Sequence, residues 1–282
     1  MGLYLRPTEL AVALAALAEQ PFTVLAGGTD VFPARVGKPL RGDVLDIGQI
    51  EGLRGISECD DHFRVGATTT WSDLTAAPLP NWFDGAKSAA REVGGVQIQN
   101  AGTIAGNLCN ASPAADGIPA LLSLNASVEL RSRDHRRVLP LSDFVLGSRR
   151  TAREPDEIVT AILVPKPHYP ARAGFAKLGT RKYLVISIVM VGAMLEIDHG
   201  CVAAARIAVG ACSPVAQRLP TLEGRLIGAS VARPLSGLIV ADDMRWLAPI
   251  DDARGTASYR LDAARTMVGR LLDALVRTEN PR

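Results

Sequence analysis

Apolar residues run without interruption from Leu10 to Ala18, and Leu10, Leu14 and Leu17 fall on one helical face. This predicts a helix over 8–19, with Thr8 as its cap. A short apolar strand follows at 22–25 and ends in Ala26-Gly27-Gly28-Thr29-Asp30; a Pro/Gly/Lys loop leads to a second strand pattern at 44–47. Helix alternating with short strand predicts a small, partly parallel α/β unit that closes near residue 55.

From Phe63 the pattern changes. Residues 63–66 read as a strand, 69–75 as a capped turn into a short helix, and 86–93 as a helix. A small, polar, glycine-rich stretch then runs from 94 to 116. A short helix at 119–124 precedes a hairpin, 127–131 with 136–140, turning at Asp134. Residues 158–164 close this region as a strand, giving an α+β, antiparallel unit. Three prolines in the six residues 165–170 can continue neither a helix nor a central strand, and mark a boundary. Beyond it, 174–177, 187–197 and 202–209 predict a three-stranded meander. Three helical patterns follow, the last over 258–276, with Leu261, Ala264, Met267, Leu271 and Leu275 on one stripe.

Composition narrows the classes. A chain of 282 residues suits roughly two domains and can bury a sizeable core. Its 31 basic and 29 acidic residues leave a net charge of +2, too little to attract nucleic acid or an anionic membrane. Cys59, Cys109, Cys201 and Cys212 form no CxxC pair and have no histidine at ligand spacing. That argues against a metal site, an iron–sulfur cluster of the chain's own and a disulfide scaffold, and fits a reducing compartment. The apolar run at 184–195 has 12 residues, short of the roughly 20 that span a membrane. The reading is a soluble, cytoplasmic protein.

Two segments carry candidate chemistry. In Leu25-Ala26-Gly27-Gly28-Thr29-Asp30, a strand ends in two glycines, so the backbone can turn sharply and bring successive N–H groups to an anion such as phosphate. The plain alternative is a tight strand-exit turn. No GxGxxG occurs, and the Gly37-Lys38 pair lacks the leading glycine of a P-loop, so the usual nucleotide fingerprints fail. The second segment runs from Ile98 to Asp116 through Ala101, Gly102, Thr103, Ala105, Gly106, Asn107 and Ser112. Its small residues and interleaved Asn, Thr and Ser predict accessible backbone wrapped around a large polar ligand, with Asp116 as an acceptor for a sugar hydroxyl. The rival is a glycine-rich loop between helices. The four histidines are scattered and read as surface residues.

Together these segments resemble the flavin-binding subunit of the molybdenum hydroxylases, the xanthine dehydrogenase and carbon monoxide dehydrogenase medium subunits. The resemblance continues through Leu141-Ser142-Asp143-Phe144, Gly147, Arg150-Thr151, Pro155-Asp156-Glu157-Ile158-Val159, Phe175-Ala176-Lys177 with Arg181, and Ser258-Tyr259-Arg260, spanning essentially the whole chain. It implies an α+β fold: a two-subdomain FAD-binding fold of the PCMH type (1–55 and 56–170), then a C-terminal domain (171–282) of a three-stranded antiparallel sheet with a helical bundle. FAD would lie extended between the two subdomains. The 26–30 turn and the 103–107 segment would hold its pyrophosphate through backbone N–H groups, and Leu25, Ala101 and Gly102 would belong to the same cofactor site. Ser112 would also contact FAD. Asp116 would bond ribityl or ribose hydroxyls, Val159 would pack near the adenine, and Lys177 would sit close to the isoalloxazine.

Two departures stand out. Ala105 replaces the first glycine of the usual pair, which requires a negative φ there. Tyr183-Leu184-Val185-Ile186 lacks the acidic residue often found before the equivalent isoleucine.

The implied role is an oxidoreductase subunit with FAD and no catalytic acid, base or nucleophile of its own. A molybdopterin-binding large subunit and a small subunit with two [2Fe–2S] clusters would be its partners, in a dimer of heterotrimers. NAD+, a quinone or O2 would accept the electrons. A stand-alone flavin oxidoreductase of the same fold, with its own organic substrate, is the alternative.

Overall fold

The computed structural model describes residues 2–38 and 42–277; the Pro/Gly/Lys loop expected between the first two strand patterns lies partly outside them. The first layer holds β1 (Tyr4–Leu5), α1 (Leu10–Glu19), β2 (Thr23–Leu25) and β3 (Val44–Asp46). Its sheet has the order β1-β3-β2, both pairings parallel. Ala13, Leu14 and Leu17 of α1 pack on Leu45, Ile47, Ile50 and Leu53. Thr8 does not cap α1 with its side chain; its carbonyl instead accepts the Glu51 N–H at 3.0 Å, tying the helix start to the turn after β3.

The second region contains β4 (Ile56–Glu58), β5 (His62–Gly66), α2 (Trp71–Ala76), α3 (Asp84–Glu92), α4 (Val96–Ala101), α5 (Ile104–Asn110) and α6 (Gly117–Ser123). It continues with β6 (Ser127–Arg131), β7 (Arg136–Pro140), α7 (Leu141–Phe144), β8 (Val145–Gly147), β9 (Arg150–Thr151) and β10 (Ile158–Pro165). The five-stranded sheet β4-β5-β10-β6-β7 is antiparallel throughout. Thr70 and Asp73 form a capping box at α2.

The stretch 98–116, expected as backbone wrapped around a ligand, is mostly helical up to Asn110. Ile104 and Leu108 are buried one turn apart with Ala105 beside them, so a single α5 face enters the core while the polar residues face outward.

The third layer is built from β11 (Ala171–Leu178), β12 (Val189–Asp198), β13 (Cys201–Gly210), β14 (Gln217–Arg218), α8 (Pro220–Leu226) and α9 (Ala257–Val276). The meander thus carries a fourth strand, a two-residue one. In place of a full bundle there is one long helix, one short helix and 3-10 turns at Ser236–Leu238 and Ala241–Trp246, where Pro234, Gly237 and Pro249 interrupt regular helix. The centre of the α9 stripe is Ala264, Val268 and Leu272, with Leu261, Met267 and Leu271 at its edges.

Both faces of this sheet are covered. Val189, Val191, Ala193 and Leu195 face α8 and α9, while Met194 and Ala208 join the core of the second region. That explains the apolar run before β13: a strand buried on both sides reads as continuous hydrophobic sequence. The covering element on the inner side is α6, all seven residues of which are buried. It approaches so closely that a Cβ on Gly192 would lie 2.5 Å from the Pro119 carbonyl oxygen. Among the described residues, no helix is long and apolar enough to cross a membrane.

Candidate functional site

At the end of β2, buried Leu25 anchors the turn by accepting the Ile47 N–H at 2.9 Å. Gly28 then takes φ +70°, a conformation open to glycine at little steric cost. The amides of Gly27, Gly28, Thr29 and Asp30 donate to no acceptor among the described residues. A run of unmet N–H groups on a left-handed turn is an anion-binding arrangement.

The turn sits on the junction of α4 and α5. A Cβ on Gly27 would fall 1.8 Å from the Ala101 carbonyl oxygen, and one on Gly102 would fall 2.8 Å from the Ile98 oxygen and 3.2 Å from Thr29 Oγ1. These two glycines therefore let two stretches of protein backbone meet. The close approach expected of a ligand is here made first by the chain itself. At Gly28 a Cβ would meet the Phe32 ring at 2.5 Å, and its φ of +70° would strain any side chain there.

Two chambers run along this seam. The first, about 440 Å³, is apolar at one end, with Phe22, Val24, Ile47, Ala67, Ile158 and Val159. Its other end is polar, with the 26–30 turn, Thr103, Ala105 and Gly106. The second, about 210 Å³, is lined by Trp71, Val93, Ile98, Gly102, Asn107, Ser112 and Asp116 among others. Thr29, Asp30, Thr103, Asn110 and Arg149 border both, so the chambers form one elongated groove. Val159 lines the first chamber beside Ile158.

Thr103 caps α5 by accepting the Gly106 N–H at 3.0 Å, and the Thr69 carbonyl takes the Ile104 N–H at 2.9 Å. The Ala105 amide between them has no acceptor among the described residues. Ala105 is helical and not among the positive-φ residues, so alanine fits where the family pattern has glycine. Asn107 carries a buried Oδ1 without a hydrogen-bond partner. A buried acceptor left unmet is destabilising unless a ligand or water supplies a donor.

At the far end Asp116 is buried. Its Oδ2 accepts from Lys177 Nζ at 2.8 Å and its Oδ1 from Ser187 Oγ at 2.8 Å. Burial pushes the Asp116 carboxyl above its ordinary range, against the opposing pull of Lys177 and Ser187. Lys177 also donates to the Glu92 carbonyl at 3.1 Å, and its side chain is only 6 % exposed. It borders neither chamber. Two of its three donors go to protein oxygens, which seats the ammonium against Asp116. Each Asp116 oxygen retains lone-pair capacity toward the groove.

Of the sequence candidates, Leu25, Ala101 and Lys177 support the groove from outside, and the others border it. Sequence reasoning missed Asn110, Arg149 and Trp71. Asn110 lay within the recognised stretch, whereas Arg149, at φ +59°, has no sequence signature.

Residues 1–167 match the family described as the FAD binding domain in molybdopterin dehydrogenase, and 175–275 match the CO dehydrogenase flavoprotein C-terminal domain. The chain is 32% identical over 294 aligned positions to the carbon monoxide dehydrogenase medium chain of Afipia carboxidovorans, covering 98% of each. It is 29% identical over 282 positions to the xanthine dehydrogenase FAD-binding subunit of Escherichia coli O157:H7, covering 97% of this chain and 95% of that one. Among solved structures, the carbon monoxide dehydrogenase from Hydrogenophaga pseudoflava superposes with a TM-score of 0.88 at 28% identity, covering 97% of this chain and 96% of that one.

Proposed function

This chain belongs to the FAD-binding family of the molybdopterin dehydrogenases, and from that premise we propose that it is the electron-transfer flavoprotein of a multi-subunit molybdenum hydroxylase. A molybdopterin-binding large subunit hydroxylates the substrate, and a small subunit with two [2Fe–2S] clusters delivers the electrons. NAD+, a quinone or O2 removes them, and the whole is a dimer of heterotrimers. FAD supplies the junction between single-electron and pairwise transfer. Relatives named as medium chains and FAD-binding subunits, matched over nearly their full length, support this reading.

The residues present fit FAD. The observation that carries the reading is the run of four unmet amides, 27–30, at the middle of a groove long enough to have an apolar and a polar end. Those amides, with that of Ala105, hold the pyrophosphate. Ile158 and Val159 pack the adenine. Asn107 Oδ1, Ser112 and Asp116 meet ribityl hydroxyls in the second chamber, and Lys177 steadies Asp116. No general acid, base or nucleophile is assigned to this chain.

We divide it into units 1–55, 56–170 and 171–282; the three-, five- and four-stranded sheets fall one to each unit, which supports the division, while the apolar clusters join the units through Ile158, Ala173, Met194 and Ala208. Its free thiols support a cytoplasmic setting.

The test is the visible spectrum of the purified full chain and of the co-expressed complex, with the flavin released and identified. Oxidised-flavin bands with FAD retained and FMN lost are expected. A folded protein without flavin in both preparations overturns the reading.

A further inference from the structure

We propose that Arg149 is a clasp that closes on the diphosphate at the joint of the two chambers, an inference that rests on the flavin reading above. Arg149 borders both chambers, as do Thr29 and Asp30 of the turn with the unmet amides. A dinucleotide occupying both chambers must carry its diphosphate past this point.

The charge of Arg149 is available. Its guanidinium donates to Asn110 Oδ1, a neutral acceptor, while Asn110 Nδ2 donates to Asp30 Oδ1 at 2.7 Å. Asn110 is therefore a neutral spacer between a cation and an anion, using both ends of its amide. Two other cations lie nearby, and neither borders both chambers. Arg153, which borders the first chamber, donates to the carbonyls of Glu154 at 2.9 Å and Glu157 at 2.8 Å. Lys177 is paired with Asp116. Exchanging a neutral amide oxygen for a phosphate oxygen gives Arg149 an ionised acceptor and a stronger bond.

Its placement is also built. Arg149 holds φ +59°, and its amide donates at 2.9 Å to the carbonyl of Ala111, itself at φ +45°. Non-glycine residues rarely adopt this region, and the surroundings must enforce it. The turn between β8 and β9 is thus fixed to the end of α5, and the side chain swings from a fixed base.

The experiment is a fluorescence titration of flavin-stripped full-length protein with FAD, or of the co-purified complex where the isolated chain loses flavin. Arg149→Gly suits the left-handed backbone, so a loss does not reflect a strained turn. It should raise the Kd for FAD by about tenfold to hundredfold. Arg149→Lys should retain most of the affinity. Arg149→Gln can still donate to Asn110 but carries no charge, and should behave like Arg149→Gly. Raising ionic strength from about 0.05 M to about 0.5 M should weaken the wild type more than Arg149→Gly. Unchanged FAD affinity in Arg149→Gly, or rescue by Gln as good as by Lys, overturns the clasp and leaves the flavin reading standing. A wild type that takes no FAD removes both.

Discussion

The turn at 26–30 and the cluster of Asp116, Lys177 and Ser187 border one groove and are built in opposite ways. The turn offers backbone donors that nothing in the protein satisfies, held open because glycines allow two backbones to touch. The cluster consists of side chains that satisfy one another and are almost wholly buried. The first arrangement leaves its donors open to a ligand, and the second is completed by another part of the chain. Damage to the cluster should therefore appear in stability first, and damage to the turn in flavin content first.

Four substitutions break or sharpen that contrast, in order of expected size. Lys177→Met strands a buried carboxylate and should destabilise the protein by about 3–5 kcal/mol, read as a shifted denaturant midpoint. Adding Asp116→Leu should recover most of that loss, and a double variant as unstable as the single would show that the pair does not act as a unit. Gly27→Ala forces the turn off the α4–α5 junction. It should cost about 1–3 kcal/mol while removing most of the flavin, and a variant with full flavin content would refute the seating of one backbone on the other. Ser187→Ala removes one donor to Asp116 and should cost about 1 kcal/mol with flavin content unchanged.

The smallest effect is in pH dependence. Burial raises the Asp116 carboxyl in the folded state, so the native protein binds that proton more readily than the unfolded chain. By linkage, this group lowers stability above its native pKa, and its penalty disappears as pH falls toward the ordinary carboxylate range. Glu129 has the opposite sign. Burial opposes its charge, but Thr160, Arg136 and Arg64 outweigh it and hold it below the ordinary range. The stability Glu129 contributes is present above that range and is lost as pH falls below it. Denaturation curves between neutrality and about pH 4 should therefore show a component that Asp116→Asn flattens and Glu129→Gln leaves in place.

Much of this was legible in the residues. The hairpin 127–131 with 136–140 appears at the expected bounds because its alternation and turn are local. Strands of two or three residues, such as β1, β9 and β14, are too short to carry a period. The helices α4 and α5 are hidden because each is short and Gly102 and Thr103 break the segment between them, although Ile104 and Leu108 have helical spacing. At the site, the motif glycines were found but their first duty was not, since contact between residues 27 and 101 is invisible along the chain. The pairing of Lys177 with Asp116 likewise follows from three-dimensional packing alone.

The partnership of Asp116 with Lys177 also sets a timetable for synthesis. The two residues are 61 positions apart, and the strand that carries the lysine pairs along its length with β12. Arg172 on that same strand holds the Leu275 carbonyl at the end of α9. A ribosome that has made both glycine-bearing segments has therefore made the lips of the groove without its rear wall. A nascent chain arrested before β11 is therefore expected to hold less flavin than the released full chain.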